Sequence, residues 1–206
     1  MSDLATLFLD LPRLSRDRTA LVLLDMQNVC FEQWLSPALG DSVLDRAGAL
    51  LQAAREKGIL VVHVKVAFQE GYPEISPRNG VFRWLRDNGY FKAGSRDGEI
   101  HSRMTPIAGE PVVAKHRVGA FSQTHLDRIL QARGIETLII AGLITSGAVL
   151  SAVRQAFDLD YRLIVAEDCC GDHDPATHEM LCRKIFTMHA TVVAAADIAR
   201  AITALD

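Results

Sequence analysis

Six short apolar runs rich in β-branched residues punctuate the chain: TALVLLDM (19–26), GILVVHVKV (58–66), PVVAK (111–115), ETLIIAGL (136–143), YRLIVAED (161–168) and ATVVAA (190–195). A strand with one wet face alternates apolar and polar residues. These runs are continuous, which predicts strands covered on both sides. The segments between them carry helical period. Leu44, Ala47, Leu50, Leu51 and Ala54 form one stripe, Leu126, Ile129 and Leu130 a second, and Val149, Leu150, Val153, Ala156 and Phe157 a third. In DHDPATHEMLCRKIF, Asp174 is placed to cap a helix and Pro175 to open its first turn, with Met180, Leu181 and Ile185 facing inward. Strands alternating with helices require right-handed crossovers. The expected fold is α/β, a three-layer doubly wound sheet of about six mainly parallel strands.

With 206 residues, 49% of them hydrophobic, the chain can build one sizeable core, and residues 1–206 read as a single domain. Residues 67–110 break the alternation. Their Gly, Pro and Arg content and their length predict a lid or interface excursion. A formal net charge of −3, from 22 basic side chains scattered among 25 acidic ones, presents no complementary surface to nucleic acid or an anionic membrane. No run reaches the length of a membrane span, and MSDLATLFLDLPRL has acidic residues where a signal peptide needs a basic start. Cys30, Cys169, Cys170 and Cys182 show no CxxC spacing, which fits a reduced cytoplasmic setting. The expected partner is a small-molecule substrate.

Ligands of doubly wound folds sit at the carboxyl ends of the strands, which singles out Asp25, Lys115 and the 142–148 turn. Taken alone, Asp25 reads as a turn cap and Lys115 as a snorkelling surface lysine. Delivered together to one sheet edge, they form an acid and a base with a mutual reason for being there. A partly solvated carboxylate has a raised pKa suited to proton transfer, unless a nearby cation holds it ionised. In the turn, Gly142 is expected to permit a tight reversal and Gly147 a close backbone approach to ligand. Free N–H groups at the start of the next helix would hold an oxyanion. At the focus stands Ala148, whose methyl group can neither attack, ligate nor transfer a proton.

Other reactive residues offer less. Cys169 and Cys170 share the sheet edge and Cys30 follows Asp25, but small buried cysteines are common in cores. His63 stands alone in its strand, and His173 and His178 have a poor ligand spacing, so no metal or other cofactor is expected. Neither GxGxxG after a strand nor GxxxxGK occurs. Arg78, Arg83, Arg86, Arg96 and Arg103 fit either a cationic wall for a carboxylate or a solvated charged loop. Phe82, Trp84 and Leu85 are expected to bury against the body or a partner subunit.

The segments TALVLLDMQN, PVVAKHRVGAFSQTHLDRIL and LIIAGLITSGAVLSAVRQAFDLDYRLIVAEDCCGD resemble, in order and over residues 19–172, three blocks of the isochorismatase-like cysteine hydrolases. The resemblance implies that Asp25 exchanges the proton, that Lys115 is its cationic partner, and that the N–H groups of Ile144 and Ala148 form an oxyanion hole. It implies a cis Leu143–Ile144 bond, positions in or beside the pocket for Gln27, Phe121, Thr124, Thr145 and Gly147, and a homo-oligomer. The family's nucleophilic cysteine falls on Ala148. Without a thiolate, the acyl-enzyme route of the family's amidases is closed. Three readings stay open. The chain is a hydrolase that, like true isochorismatases, lets the aspartate protonate a vinyl ether so that water can add. It is a C–N amidohydrolase whose cysteine was replaced by Ala148, or it is a non-catalytic ligand-binding relative.

Overall fold

All six apolar runs form strands in the computed structural model, which describes residues 10–205. Residues 1–9 of the acidic N-terminal stretch lie outside the described residues. The strands are β1 (Thr19–Leu24), β2 (Leu60–Val66), β3 (Val112–Lys115), β4 (Thr137–Leu143), β5 (Arg162–Gly171) and β6 (Thr191–Val193). The helices are α1 (Asn28–Gln33), α2 (Pro37–Glu56), α3 (Gly80–Asp87), α4 (Leu126–Ala132), α5 (Leu150–Asp158), α6 (Pro175–Met180) and α7 (Ala195–Thr203). Every strand pair is parallel, in the order β3-β2-β1-β4-β5-β6.

In the central strands the continuity of the apolar runs has its physical reason, because successive residues serve opposite cores, whereas edge strand β3 is open on one face, with Val112 45% exposed. Leu21, Leu23, Ile139 and Ala141 pack with α2 and α7, whereas Ala20, Val22, Leu138 and Ile140 pack with α4 and α5. Strand order runs outward from β1 in one direction and from β4 in the other. That reversal opens a crevice at the carboxyl ends of β1 and β4.

The α2 stripe is buried throughout. Two helical stripes are buried only in part, with Val153, Ala156 and Leu181 inside as expected. In α5 the buried face is Ala152, Val153 and Ala156, continuing from buried Val149 just before it, while Phe157 is 40% exposed. After α6, Cys182 and Phe186 are buried and Met180 is 41% exposed. Met180 adjoins the π-helical turn Leu181–Ile185, which widens the spiral and shifts the inward face. Asp174 does cap α6, its Oδ1 accepting from the Ala176 amide at 3.1 Å. Strand β5 runs past its expected end at Asp168, because Cys170 and Gly171 resume pairing with Gly142 and Leu143 after a register shift.

The 67–110 excursion is tied to the sheet edge through its backbone. Asn28 donates to Glu99 O at 3.0 Å, Val29 to Asp97 O at 3.1 Å, and His101 to Met26 O at 2.8 Å. Its far end is fixed by Glu110, which accepts from Arg55 Nε and Nη2 at 2.7 and 2.8 Å, from the Ile107 amide at 3.0 Å, and pairs with buried His63 at 2.9 Å. Burial acts to raise the Glu110 pKa, but the hydrogen bonds from Arg55, Ile107 and His63 outweigh it and bring the group to about 2. This anchor lies just before β3 and so sets where Lys115 emerges.

Glu110→Gln is expected to lower stability by about 2–3 kcal/mol at neutral pH. A carboxylate with a depressed folded pKa contributes stability above its unfolded pKa and loses it as pH falls through the folded one. The deficit of the variant should therefore shrink as pH drops from about 4.5 towards 2. Urea midpoints across that range check it, and a deficit that widens in acid contradicts the assignment.

Candidate active site

Asp25 follows the last residue of β1 and takes a left-handed backbone conformation, φ 53°, with its amide on Val64 O at 2.8 Å. Lys115 ends β3, two strands away, in register with Val66. Its side chain is 1% exposed, and Nζ donates to Asp25 Oδ2 at 2.8 Å and to Val118 O at 2.7 Å. The other oxygen of Asp25, Oδ1, is buried and has no hydrogen-bond partner among the described residues. Burial raises the Asp25 pKa, and the charge and hydrogen bond of Lys115 oppose that without cancelling it. One oxygen is thus fixed and the other is available.

The third corner is built at the end of β4. Gly142 faces Leu24 of β1, and a Cβ there would meet Leu24 O and Cβ at 2.5 Å. Its role is this close strand approach, not the chain reversal expected of it. The reversal occurs at Ile144, with φ 57° and ψ 77°. For a β-branched residue that conformation is strained by roughly 1–3 kcal/mol. The expected cis bond at Leu143–Ile144 is absent: no peptide bond among the described residues is cis, and the left-handed torsion at Ile144 turns the chain instead. Beyond it, the Gly147 amide donates to Ile144 O at 2.9 Å and the Ser146 amide to Asp172 Oδ2 at 2.7 Å. Neither bond uses the N–H of Ile144 or Ala148.

Asp25, Lys115, Ile144, Gly147 and Ala148 border one hollow of about 430 Å³. Its remaining walls are mostly apolar: Trp34, Val66 and Val118 from the body, Val81, Phe82, Trp84, Leu85 and Phe91 from the excursion. Arg117 and His173 complete it. A second hollow, of about 420 Å³, lies at the amino ends of the strands around Arg55 and Glu110, remote from this group.

Four residues expected in or beside the pocket lie outside the lining. Gln27 is fully buried and stitches strand ends together, its Nε2 donating to Val66 O and Gly98 O and its Oε1 accepting from the Val66 amide. Thr145 is buried against His178, Oγ1 to Nδ1 2.9 Å, and Phe121 packs beside Tyr161. Thr124, likewise away from the hollow, has its hydroxyl on Ala120 O at 2.6 Å. The excursion arginines do not form a wall either, since Arg86, Arg96 and Arg103 pair with Asp87, Glu32 and Asp45 away from the hollow. Phe82 and Leu85 are buried as expected, whereas Trp84 is 51% exposed.

Two residues that matter here escaped the sequence reading. Arg117 lies in the bend that follows β3, two positions after Lys115. Asp172, its side chain fully buried, holds the turn through Ser146 and also accepts from the Asp174 amide at 3.2 Å and His173 Nδ1 at 2.9 Å. The four thiols are all buried and none borders the hollow. Burial raises the pKa of Cys30, Cys169 and Cys170, and brings Cys182 to about 12.

A model of the isochorismatase domain matches residues 19–197, which include every strand of the sheet. The chain belongs to the isochorismatase family. It is 31% identical over 159 residues to maleamate amidohydrolase of Pseudomonas putida, covering 76% of this chain and 72% of that one. It is 30% identical over 178 residues to the ureidoacrylate amidohydrolase RutB of Klebsiella pneumoniae, covering 77% and 75%. The crystal structure of a cysteine hydrolase from Pseudomonas syringae pv. phaseolicola superposes with a TM-score of 0.84 at 21% identity, covering 95% and 96%, and shows the same fold. No helix among the described residues is long and apolar enough to cross a membrane.

Lys115→Met is expected to leave the Asp25 carboxyl buried without its cation, raising its pKa further. A carboxyl with a raised folded pKa contributes stability below its unfolded pKa and loses it as pH rises through the folded one. The variant's Tm should therefore fall from about pH 5 to about pH 8 more steeply than that of the native chain. Parallel thermal melts decide the point, and a variant Tm that holds or rises over that interval contradicts the pairing.

Proposed function

We propose that this isochorismatase-family chain is a cofactor-independent hydrolase of small molecules that works by acid/base chemistry at Asp25, without a cysteine nucleophile. The observation that carries the reading is the division of labour in one carboxyl group. Oδ2 is tied to Lys115, while buried Oδ1 is unpartnered and the residue opens onto the hollow beside Ala148. Lys115 tunes how readily the proton is held. The Ile144 and Ala148 amides serve as the cradle for an oxygen that gains charge.

In the reaction this arrangement suits, protonated Asp25 gives its proton to the terminal carbon of a vinyl ether. Water then adds to the oxocarbenium carbon, and the proton it releases returns to Asp25. The resulting hemiketal breaks its C–O bond to leave a ketone and an alcohol. A methyl group at Ala148 fits such a route, because the attacking oxygen comes from water and needs space beside the cradle. The contrasting C–N amidohydrolase reading draws support from the two relatives named as amidohydrolases. Against it stands the lining itself, in which no thiol borders the hollow.

Turnover assays with 2-phenoxyacrylate, a vinyl ether with one carboxylate, and maleamate as the amide separate these readings. Asp25→Asn should lower vinyl-ether hydrolysis by about 10²–10⁴-fold. The native chain should leave maleamate intact. Undiminished turnover in Asp25→Asn contradicts the mechanism, and amide hydrolysis that emerges only in Ala148→Cys identifies a lapsed amidase site.

A further inference from the structure

The charges bordering the hollow leave one cation over. Lys115 is matched by Asp25 at 2.8 Å, and His173 by Asp172 at 2.9 Å. Arg117 has no carboxylate partner among the described residues, although the chain is rich in ion pairs elsewhere. Its guanidinium is nevertheless held in place. Nη1 donates to His116 O at 2.5 Å and to Glu74 O at 3.2 Å, and Cζ sits 5.7 Å from the centroid of the Phe82 ring. None of these contacts uses Nε or Nη2, the two nitrogens that form one parallel edge of the fork.

We infer that Arg117 is the specificity-determining residue of this site, reading the carboxylate of a monoanionic substrate whose remaining body is apolar. The free edge of a fixed guanidinium matches a planar carboxylate with two parallel N–H···O bonds, which a lysine cannot reproduce. The body is specified by the other walls. Trp34, Phe82, Trp84 and Phe91 surround the space with aromatic surface, and Asp25 is the one carboxylate among the residues lining it. A hollow of about 430 Å³ is at the small end for ligand sites and suits a body about the size of a single ring. A second anionic group would have no free cation to meet, so dianions are disfavoured. The inference rests on reading this hollow as the substrate site of a hydrolase, and adds the substrate class to that reading.

The test uses binding, so that it does not depend on turnover. The chain has two tryptophans, Trp34 and Trp84, and both border the hollow, so tryptophan emission reports its occupancy. Benzoate and its neutral isostere benzamide are titrated into the native chain, Arg117→Met and Arg117→Lys. Benzoate should bind the native chain about tenfold or more tighter than benzamide. Arg117→Met should abolish that preference while leaving the benzamide Kd within about twofold. Arg117→Lys keeps the charge and the aliphatic stem over Phe82 but loses the fork, and should also weaken benzoate selectively; it serves if the Met variant fails to fold. Equal binding of the two probes to the native chain, absence of benzoate binding, or a preference that survives both substitutions overturns the inference. Asp25→Asn is titrated alongside. Benzoate selectivity retained there, whatever happens to turnover, keeps the fate of Arg117 separate from that of the acid/base mechanism.

Discussion

An ammonium group removed from water needs a counter-charge, and Lys115 finds its counter-charge in a residue ninety positions earlier in the chain, Asp25. The contact carries structural obligations with it. Removing either partner strands the other in a poorly solvated interior, a loss of about 3–5 kcal/mol in comparable buried pairs. Strands β1 and β3 must therefore end at the same level with β2 between them. The Gln27 side chain enforces that level, holding Val66 through both its amide and its carbonyl while reaching Gly98 in the excursion. The same pair carries the proposed chemistry, because only one carboxylate oxygen is consumed by the contact.

The other half of the site depends on shape more than on charge. Leu24 and Gly142 meet where a methyl group would not fit, which draws the turn after β4 against the end of β1. Ile144 then takes a strained torsion, and Asp172 holds the following amide in place from beneath. Carboxyl group and amide cradle are brought together by the parallel order of the central strands. The crevice between β1 and β4 is the consequence of a topology in which strand order reverses there.

Much of this was legible in the sequence, for reasons specific to each residue. Unbroken apolar runs exposed the strands because a sheet buried on both faces cannot hide its pattern. Asp25 and Lys115 stood out because a charge at the end of such a run must be accounted for. Arg117 did not, because it lies beyond the last strand residue and many of its neighbours in the hollow come from the 67–110 excursion, which has no periodicity. Asp172 was obscured because β5 continues beyond Asp168 through a register shift that no local pattern announces. Met180 was assigned to the core on a spacing of 3.6, which fails beside a π-helical turn. The resemblance to a family located the bend at Ile144 but attached it to the wrong bond, since torsion about N–Cα achieves the same change of direction.

The distribution of sulfur has a physiological corollary. All four cysteines are packed inside, and desolvation keeps their thiols protonated. Alkylating agents and peroxides act on exposed thiolates. A site composed of a carboxyl group, an ammonium group and peptide amides gives such reagents nothing to attack. The proposed thiol-free reaction would for that reason be insensitive to oxidants that silence a catalytic cysteine.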